Sequence, residues 1–525
     1  MPNVATTETV LHRAQRRLPA NLEEQRLRIL AIAKRHGLDT FDTVFEMCDY
    51  DEINMIAAYG GFPVRYPHWR WGMEFQQMAK GYEYGLQKIY ELVINTKPSY
   101  AYLLDNNAFV DQKLVMAHVY GHVDFFKNNC WFAHTNRKML DQMANHAVRV
   151  RKIADAVGES ATEAWLDLCL SVDNLIDPYL IHDRPRGDVQ PLDADLITPQ
   201  SFRLPARNHM ESYINPPDVL LRQQEAAEAE AVKVRGQFPA SPVRDVLGFI
   251  LQHGKMRAWQ AELLEIIRDE AYYFAPQGQT KIMNEGWASY WHTKLMTEEI
   301  LDDSEVIDYA DHHSGTVVMR PGQINPYKIG IELYRDIEKR WDRGQFGKEW
   351  FDCDNATVRR EWNRPPTADP SEKPGWTPGK TKIFEVRKTH NDVTFLDAFL
   401  TEDFCKRAGL FTYEFDKKSG EYLVDSHEFA DVKQKLLFMV GGRGQPRVSV
   451  TDGNHGNRGE LELTHDHEGV DIQLDWAQQT LGNLATLWGR PVHLKTVIED
   501  KPAQLHHDGR QFTYDGPKPS GKAKG

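Results

Sequence analysis

NAFVDQKLVMAHVYGHVDFFKNN, residues 107–129, carries apolar residues at helical spacing: Phe109, Val110, Leu114 and Ala117, then Phe125 and Phe126. Asn106 or Asn107 is the expected N-cap. On such a helix His118 and His122 stand one turn apart on one face, the geometry by which a single helix offers two imidazoles to one metal ion. Gly121 between them costs about 1 kcal/mol against alanine in a helix interior. A closely approaching backbone or ligand justifies that cost. The pair alone is a weak signal: with 21 histidines in 525 residues, about 0.8 such pairs arise by chance. Its ordinary reading is two histidines satisfied by neighbouring carbonyls or carboxylates.

Upstream, residues 21–36 and 40–59 read as amphipathic helices. GGFPVRYPHWRWGMEF, residues 60–75, is broken by Pro63 and Pro67 and dense in aromatics, which suits a packed corner carrying Arg65, His68 and Arg70. A helix over 74–95 leads to an apolar segment, 100–104, suited to a strand. Downstream, 136–157 and 161–173 are helical. Prolines 178, 185, 191, 199, 205, 216 and 217 exclude regular structure from 176–220 and mark 176–240 as an insertion. Helices follow at 243–253 and 256–274, the second ended by APQGQ. The next, TKIMNEGWASYWHTKLM at 280–296, sets Glu285 and His292 seven residues apart and therefore on one face. Glu285 sits among Met283, Gly286, Trp287 and Ala288, an apolar setting in which a carboxylate needs a partner. Another amphipathic helix covers 326–341.

Composition shifts at the proline-rich RPPTADPSEKPGWTPGK, residues 364–380. Beyond it the pattern gives a helix at 393–407 and a hairpin from LFTYEFD and EYLVDS around KKSG. A helix at 427–440, strands near 446–451, 459–464 and 470–474, a helix at 475–488 and a strand at 491–497 follow. The expected fold class is α+β. A flexible N-terminus (1–20) precedes a large, mostly helical domain (21–363) interrupted by 176–240. A linker (364–381), a small α+β domain (382–515) and a disordered tail (516–525) complete it.

This length exceeds what one core supports. The net charge of −13 argues against a grip on duplex DNA. The N-terminus has no apolar signal region and no run approaches a membrane span. The five cysteines, Cys48, Cys130, Cys169, Cys353 and Cys405, lack CxxC spacing and suit reduced thiols. No phosphate-cradling glycine loop is present. A cytoplasmic protein is expected.

His118, His122 and Glu285 make the donor set of a catalytic zinc site: two imidazoles from one helix, a carboxylate from a second, and a fourth position open for water. Zinc is the first expectation, and the same donors suit iron or manganese. His292 is a fourth ligand, an orienting group or a proton shuttle, and Asp269 and Glu270 are orienting or base candidates. The HExxH pattern has its general base directly after the first histidine, where this chain has Val119. Either Glu285 or Glu270 supplies the base, or no peptidase chemistry occurs. If Glu285 is the base, His292 becomes the third ligand. Lesser candidates carry ordinary readings: a buried small hydrophobe for Cys130, a turn for His465 and His467, the surface for His506 and His507, and the core for Tyr272, Tyr273 and Tyr290.

FPVRYPHWRWGMEF, IYELVINTKPSYAYLLDNN, AHVYGHVDFFKNNCWF, RDEAYYFAPQGQTKIMNEGWASYWH and FEVRKTHNDVTFLDAFLTEDF resemble signature blocks of the SpoVR (stage V sporulation protein R) family. The likeness spans roughly residues 20–510. It implies a link to spore cortex formation or stationary-phase stress, with a serine protein kinase and a von Willebrand A-type protein as companions. NEGWASYW is also similar to the EGWA-type glutamate helix of some zincin-like peptidases, which implies a zincin-like core and a ligand role for Glu285. Three functions stand at this level: a metal-dependent hydrolase of an amide bond in a peptide or peptidoglycan-related substrate; a non-enzymatic scaffold or regulator acting with the kinase and its companion; or a protein whose metal is structural or redox-active, since two histidines and a carboxylate also suit iron.

Overall fold

The two-histidine stretch forms a helix, Phe109–Asn128, buried from Val110 to Phe126 except at Leu114. A helix buried on every side lies inside a layer of other elements, and its buried polar groups (Asp111, Gln112, Lys113, His118, His122 and Asp124) must find partners there. The computed structural model describes residues 16–83, 91–180, 213, 215–222, 238–316, 324–344, 355–357, 377–416, 421–442 and 445–517.

In chain order the first part runs α1 (Ala20–Arg35), β1 (Thr43–Cys48), α2 (Tyr50–Ala58), α3 (Trp69–Glu83), β2 (Glu91–Ile94), β3 (Ser99–Leu104), α4 (Phe109–Asn128), α5 (Met139–Val157) and α6 (Glu159–Leu170). Then come α7 (Val246–His253), α8 (Ala258–Gln279), α9 (Lys281–Leu295), α10 (Val306–Thr316) and α11 (Pro326–Asp342). The last part holds α12 (Gly379–Thr389), α13 (Asp392–Phe399), α14 (Glu402–Ala408), the hairpin β4 (Thr412–Asp416) and β5 (Glu421–Ser426), and α15 (Phe429–Gly441). It ends with β6 (Val448–His455), β7 (Glu460–His465), α16 (Leu474–Trp488), β8 (Val492–Ile498), β9 (Lys501–His507) and β10 (Phe512–Asp515). The fold is α+β. No helix among the described residues is long and apolar enough to cross a membrane.

By backbone contacts the chain divides into two units, residues 1–163 with 272–444, and residues 164–271 with 445–525. In the first unit α9 packs against α4 and against α11. Small residues make both crossings close. A Cβ on Gly121 would lie 2.7 Å from the Ala288 Cα, and a Cβ on Gly286 or Gly330 would fall on the other's backbone. α1 and α12 pack on α4 as well. A three-stranded sheet in the order β1-β3-β2 completes this unit's core, β1 parallel to β3 with Phe45 opposite Ala101, β2 antiparallel to it.

Asp124 of α4 is fully buried. Its Oδ2 accepts the Trp287 indole N–H at 2.8 Å and pairs with the buried Arg387 guanidinium of α12, and its Oδ1 accepts the Asp39 backbone N–H at 2.7 Å. Asn129 Nδ2 donates to the Arg387 and His390 carbonyls at 2.7 and 2.9 Å. These bonds tie α12 into the helical unit. The break in contacts therefore falls at 444/445, not within the linker expected at 364–381, whose residues up to 376 lie outside the described set.

The second unit contains a five-stranded sheet in the order β10-β9-β8-β7-β6. β7 and β8 are parallel and joined through α16; the other pairs are antiparallel. One face buries Val450, Leu461, Leu463, Val492, Leu494 and Leu505, with α16 supplying Leu481, Leu484 and Trp488 to the same unit's core.

Several expectations need correction. Residues 40–59 are not one helix: β1 comes first, and Asp49 with Glu52 forms a capping box that starts α2 at Tyr50. Pro276 does not end the preceding helix, because it lies in the last turn of α8, where only one intrahelical bond is lost. The N-cap of α4 is Ala108, without a side-chain bond. Residues 393–407 are two helices, started by the caps Asn391 and Thr401. Residues 470–474 form no strand, whereas β9 and β10 extend the sheet. Most of the insertion 176–240, residues 1–15 and the tail from 518 lie outside the described residues.

Gly330→Ala forces a methyl into the α9–α11 crossing and is expected to destabilise by about 1–3 kcal/mol, as overpacking does. Urea unfolding measures this; an unchanged midpoint would show that the helices part without cost.

Candidate metal centre

α4 and α9 cross at Gly121 and Ala288. His118 and His122 flank that contact on α4, and Glu285 lies one turn before Ala288 on α9. The close crossing brings the three side chains together: one donor atom from each lies within 4.8 Å of the others, all buried. Glu285 Oε2 is 3.6 Å from His118 Nε2 and 3.4 Å from His122 Nε2. These separations exceed ordinary hydrogen bonds. Donors about 2.0–2.2 Å from a tetrahedral ion stand about 3.3–3.6 Å apart, and these two separations match that spacing.

The outer nitrogens of both rings are engaged. His122 Nδ1 is 2.9 Å from Asn284 Oδ1, which can only accept, so the proton sits on Nδ1 and the Nε2 lone pair faces Glu285. His118 Nδ1 is 2.7 Å from His292 Nδ1. With His118 as the donor of that bond, its Nε2 also keeps a lone pair for the centre. The Tyr327 ring stacks on His118 and the Phe126 ring on His122, with centroids 6.2 and 6.1 Å apart.

Glu285 Oε1 accepts from Lys281 Nζ at 2.6 Å. Burial alone would raise the Glu285 carboxyl, but when the rings are protonated on both nitrogens the charge of His122, N–H donation from His118 and His122, and the Lys281 ammonium outweigh it and hold the group well below the usual carboxylate range; the Nε2 lone pairs are those of the neutral rings that an ion would take. An ionised carboxylate with its charge balanced is the form in which a metal ligand is needed. The N-terminus of α9 is set by Asp392, whose two oxygens accept the Ile282 and Met283 backbone N–H groups, each at 2.9 Å. Burial pushes the Asp392 carboxyl up to about 7 against the pull of those bonds.

His118, His122 and Glu285 thus come together as one group, and His292 adjoins them through His118. Glu270, buried on α8, is not a member of that group. Val119 is packed in the core, so α4 offers no carboxylate in the HExxH position. Sequence reasoning missed Lys281, Asn284 and Asp392. Lys281 was accessible from its i, i+4 spacing to Glu285, and Asn284 from its place on the same helix; Asp392, more than 100 residues away, gave no signal. Cys130, expected buried, is exposed. His465 binds Thr496 Oγ1 at 2.9 Å and His467 binds Asp471 at 2.9 Å, so each has a separate partner. Tyr273 and Tyr290 are buried as expected, and the Tyr290 hydroxyl donates to Glu338 at 2.7 Å.

Asp392 predicts a pH dependence of stability. Its native carboxyl titrates near 7, whereas an unfolded aspartate titrates near about 3.9. Between about pH 4 and 7 the native state binds more protons than the unfolded one, so this group's contribution falls as pH rises through that window. Asp392→Asn is expected to flatten this part of the stability curve. If the urea midpoint of the variant falls as steeply as that of wild type, Asp392 is not the source.

The family described as "SpoVR like protein" matches residues 17–445, and "SpoVR-like C-terminal domain" matches residues 446–499. The Escherichia coli (strain K12) "Uncharacterized protein YcgB" is 29% identical over 502 residues, covering 90% of this chain and 91% of its own length. No solved structure matches. The two family matches meet at 445/446, beside the break between the units, and run over nearly all the described residues: the chain belongs to the SpoVR family.

Proposed function

We propose that the chain binds a divalent metal ion through His118, His122 and Glu285 and uses it to hydrolyse an amide bond in a peptide or a peptidoglycan-related substrate. The observation that carries this reading is the spacing of three buried donors at 3.4 and 3.6 Å across two helices, with the outer nitrogen of each ring already bonded. Such an ion supplies a polarised carbonyl and a bound water with a pKa near about 7. A water so acidified does not require a glutamate at position 119. Asn284 and His292 hold the two imidazoles in the tautomer that faces the centre, a role that carboxylates and carbonyls play at many metal sites. Lys281 holds the outer oxygen of Glu285 and leaves Oε2 toward the histidines. His292, bonded to His118, serves as an orienting group and as the nearest route for a proton out of the site. The likeness of NEGWASYW to the EGWA-type glutamate helix of some zincin-like peptidases supports the same reading by analogy. Zinc fits the donors first, with iron and manganese next.

Elemental mass spectrometry of the purified protein is the test. Near-stoichiometric metal is expected in wild type and its loss in His118→Ala, His122→Ala and Glu285→Ala. Asn284→Ala and His292→Ala are expected to weaken binding by about 10–100-fold without removing a ligand. Hydrolysis is then assayed on peptide and peptidoglycan-derived amides. A wild type that holds no metal and has no affinity for added zinc, iron or manganese would sink the reading. It would favour the non-enzymatic alternative, a regulator working with a serine protein kinase and a von Willebrand A-type protein.

A further inference from the structure

α9 carries a polar side chain beside the centre that neither the donor set nor the bonds around it use. Ser289 is four residues past Glu285 and three before His292, about 40° and 60° round the helix from them. Neighbours at those spacings stand about 5–6 Å apart between Cβ atoms. Both of those residues face α4: Glu285 Oε2 is 3.4 Å from His122 Nε2, and His292 Nδ1 is 2.7 Å from His118 Nδ1. Ala288, directly before Ser289, meets Gly121 of α4. Ser289 thus lies beside the three donors, and it is 1% exposed.

Its hydroxyl has no hydrogen-bond partner among the described residues. A hydroxyl inside a helix can satisfy itself on the carbonyl four residues back. Nearby hydroxyls do so: Thr280 Oγ1 donates to the Pro276 carbonyl at 2.7 Å and Thr297 Oγ1 to the Thr293 carbonyl at 2.8 Å. Ser289 makes no such bond to the Glu285 carbonyl. A buried hydroxyl left unpaired costs the fold its desolvation, and alanine at 289 would avoid that cost and raise helix propensity. Packing therefore gives no reason for the oxygen. An acceptor that arrives with a ligand does.

We propose that the Ser289 hydroxyl donates to a ligand oxygen held at the centre, the carbonyl or carboxylate oxygen of the molecule on which the site acts. Two imidazoles and one carboxylate leave a coordination position open. A polarised carbonyl or an oxygen anion there is a strong acceptor for a buried donor. The ligand oxygen supplies the acceptor that the protein does not. Ser289 is then a ligand-binding residue and not a fourth donor to the ion. The inference rests on the metal-centre reading but not on amide hydrolysis, since any substrate presenting such an oxygen meets it.

The test compares the full-length wild type with Ser289→Ala, each stripped with chelator and loaded with cobalt(II), whose visible absorption reports its ligands. Elemental mass spectrometry is expected to find near-stoichiometric cobalt in both, because no donor is removed. Titration with acetohydroxamate, a ligand with a carbonyl-type oxygen, is expected to give an affinity about tenfold weaker for Ser289→Ala, the loss of one hydrogen bond to a charged group. The metal-free variant is expected to unfold in urea at the same midpoint as wild type or a higher one, whereas losing a hydroxyl that served the fold would lower it. Equal probe affinities in the two cobalt-loaded proteins, no probe binding by either, or a lowered metal-free midpoint overturns the role of Ser289 and leaves the metal centre standing. A wild type that takes up no cobalt overturns the centre, and this inference falls with it.

Discussion

The helical unit depends on how closely α9 can approach its neighbours. A methyl at Gly121 would sit 2.7 Å from the Ala288 Cα, well inside contact distance. Glycine is thus required by packing alone, before any ligand is considered. The same closeness sets the reach of the side chains. A histidine and a glutamate extend only a few bonds from their backbones, so two helices held further apart could not place Nε2 and Oε2 at 3.4 Å. One steric constraint therefore fixes the core and the candidate centre together. On the opposite side of α9, Gly286 and Gly330 repeat it, so this helix cannot shift toward either neighbour.

The carboxylates buried around α9 are satisfied by protein groups. Asp392 takes the N–H groups at its start, Asp124 takes the Trp287 indole in its middle, and Glu285 faces two imidazoles and Lys281. Each carboxylate is compensated differently, and the direction of its titration follows. Asp124, for which burial outweighs the Arg387 partner, is held above its ordinary value. Asp392, hydrogen-bonded to backbone N–H groups, rises to about 7. Glu285, facing groups that can carry positive charge, falls. Burial is common to all three, and the partner decides the sign.

Much of this was legible in the sequence. The periodicity of residues 107–129 located α4, the i, i+4 histidines located one half of the centre, and the apolar setting of Glu285 located the other. The cost of Gly121 pointed to a close approach, which Ala288 makes. Less was legible where local and long-range signals compete. TVFEMC at 43–48 has apolar residues at spacings that suit helix or strand, and only pairing with β3 decides between them. The turn between β8 and β9 uses Glu499 and Asp500 at positive φ, where the expected glycine or asparagine is absent, and so β9 and β10 passed unread. The boundary expected at the proline-rich 364–380 followed composition. Arg387 reaching Asp124, more than 260 residues away, depends on tertiary contacts that composition does not carry.

The His118–His122 pair of α4 and the cross-strand row of His455, His493 and His506, whose neighbouring ring centroids are 4.4 Å apart, show why spacing is informative on a helix and silent across a sheet. His118 and His122 are recognisable because a helix converts four residues into one turn, so sequence distance is spatial distance. His455, His493 and His506 come from three strands, and register brings them together across 51 residues of chain. No window of sequence holds all three. Their alignment nevertheless obeys a rule as strict as the helical one, since a slip of one residue in the β8–β9 pairing would turn His506 to the opposite face. The two-residue turn at Glu499–Asp500 prevents that slip by fixing Ile498 opposite Lys501, and through the unbroken ladder His493 opposite His506. A turn without an obvious sequence signal thus sets the geometry of the row, just as a glycine without a side chain sets that of the helical centre.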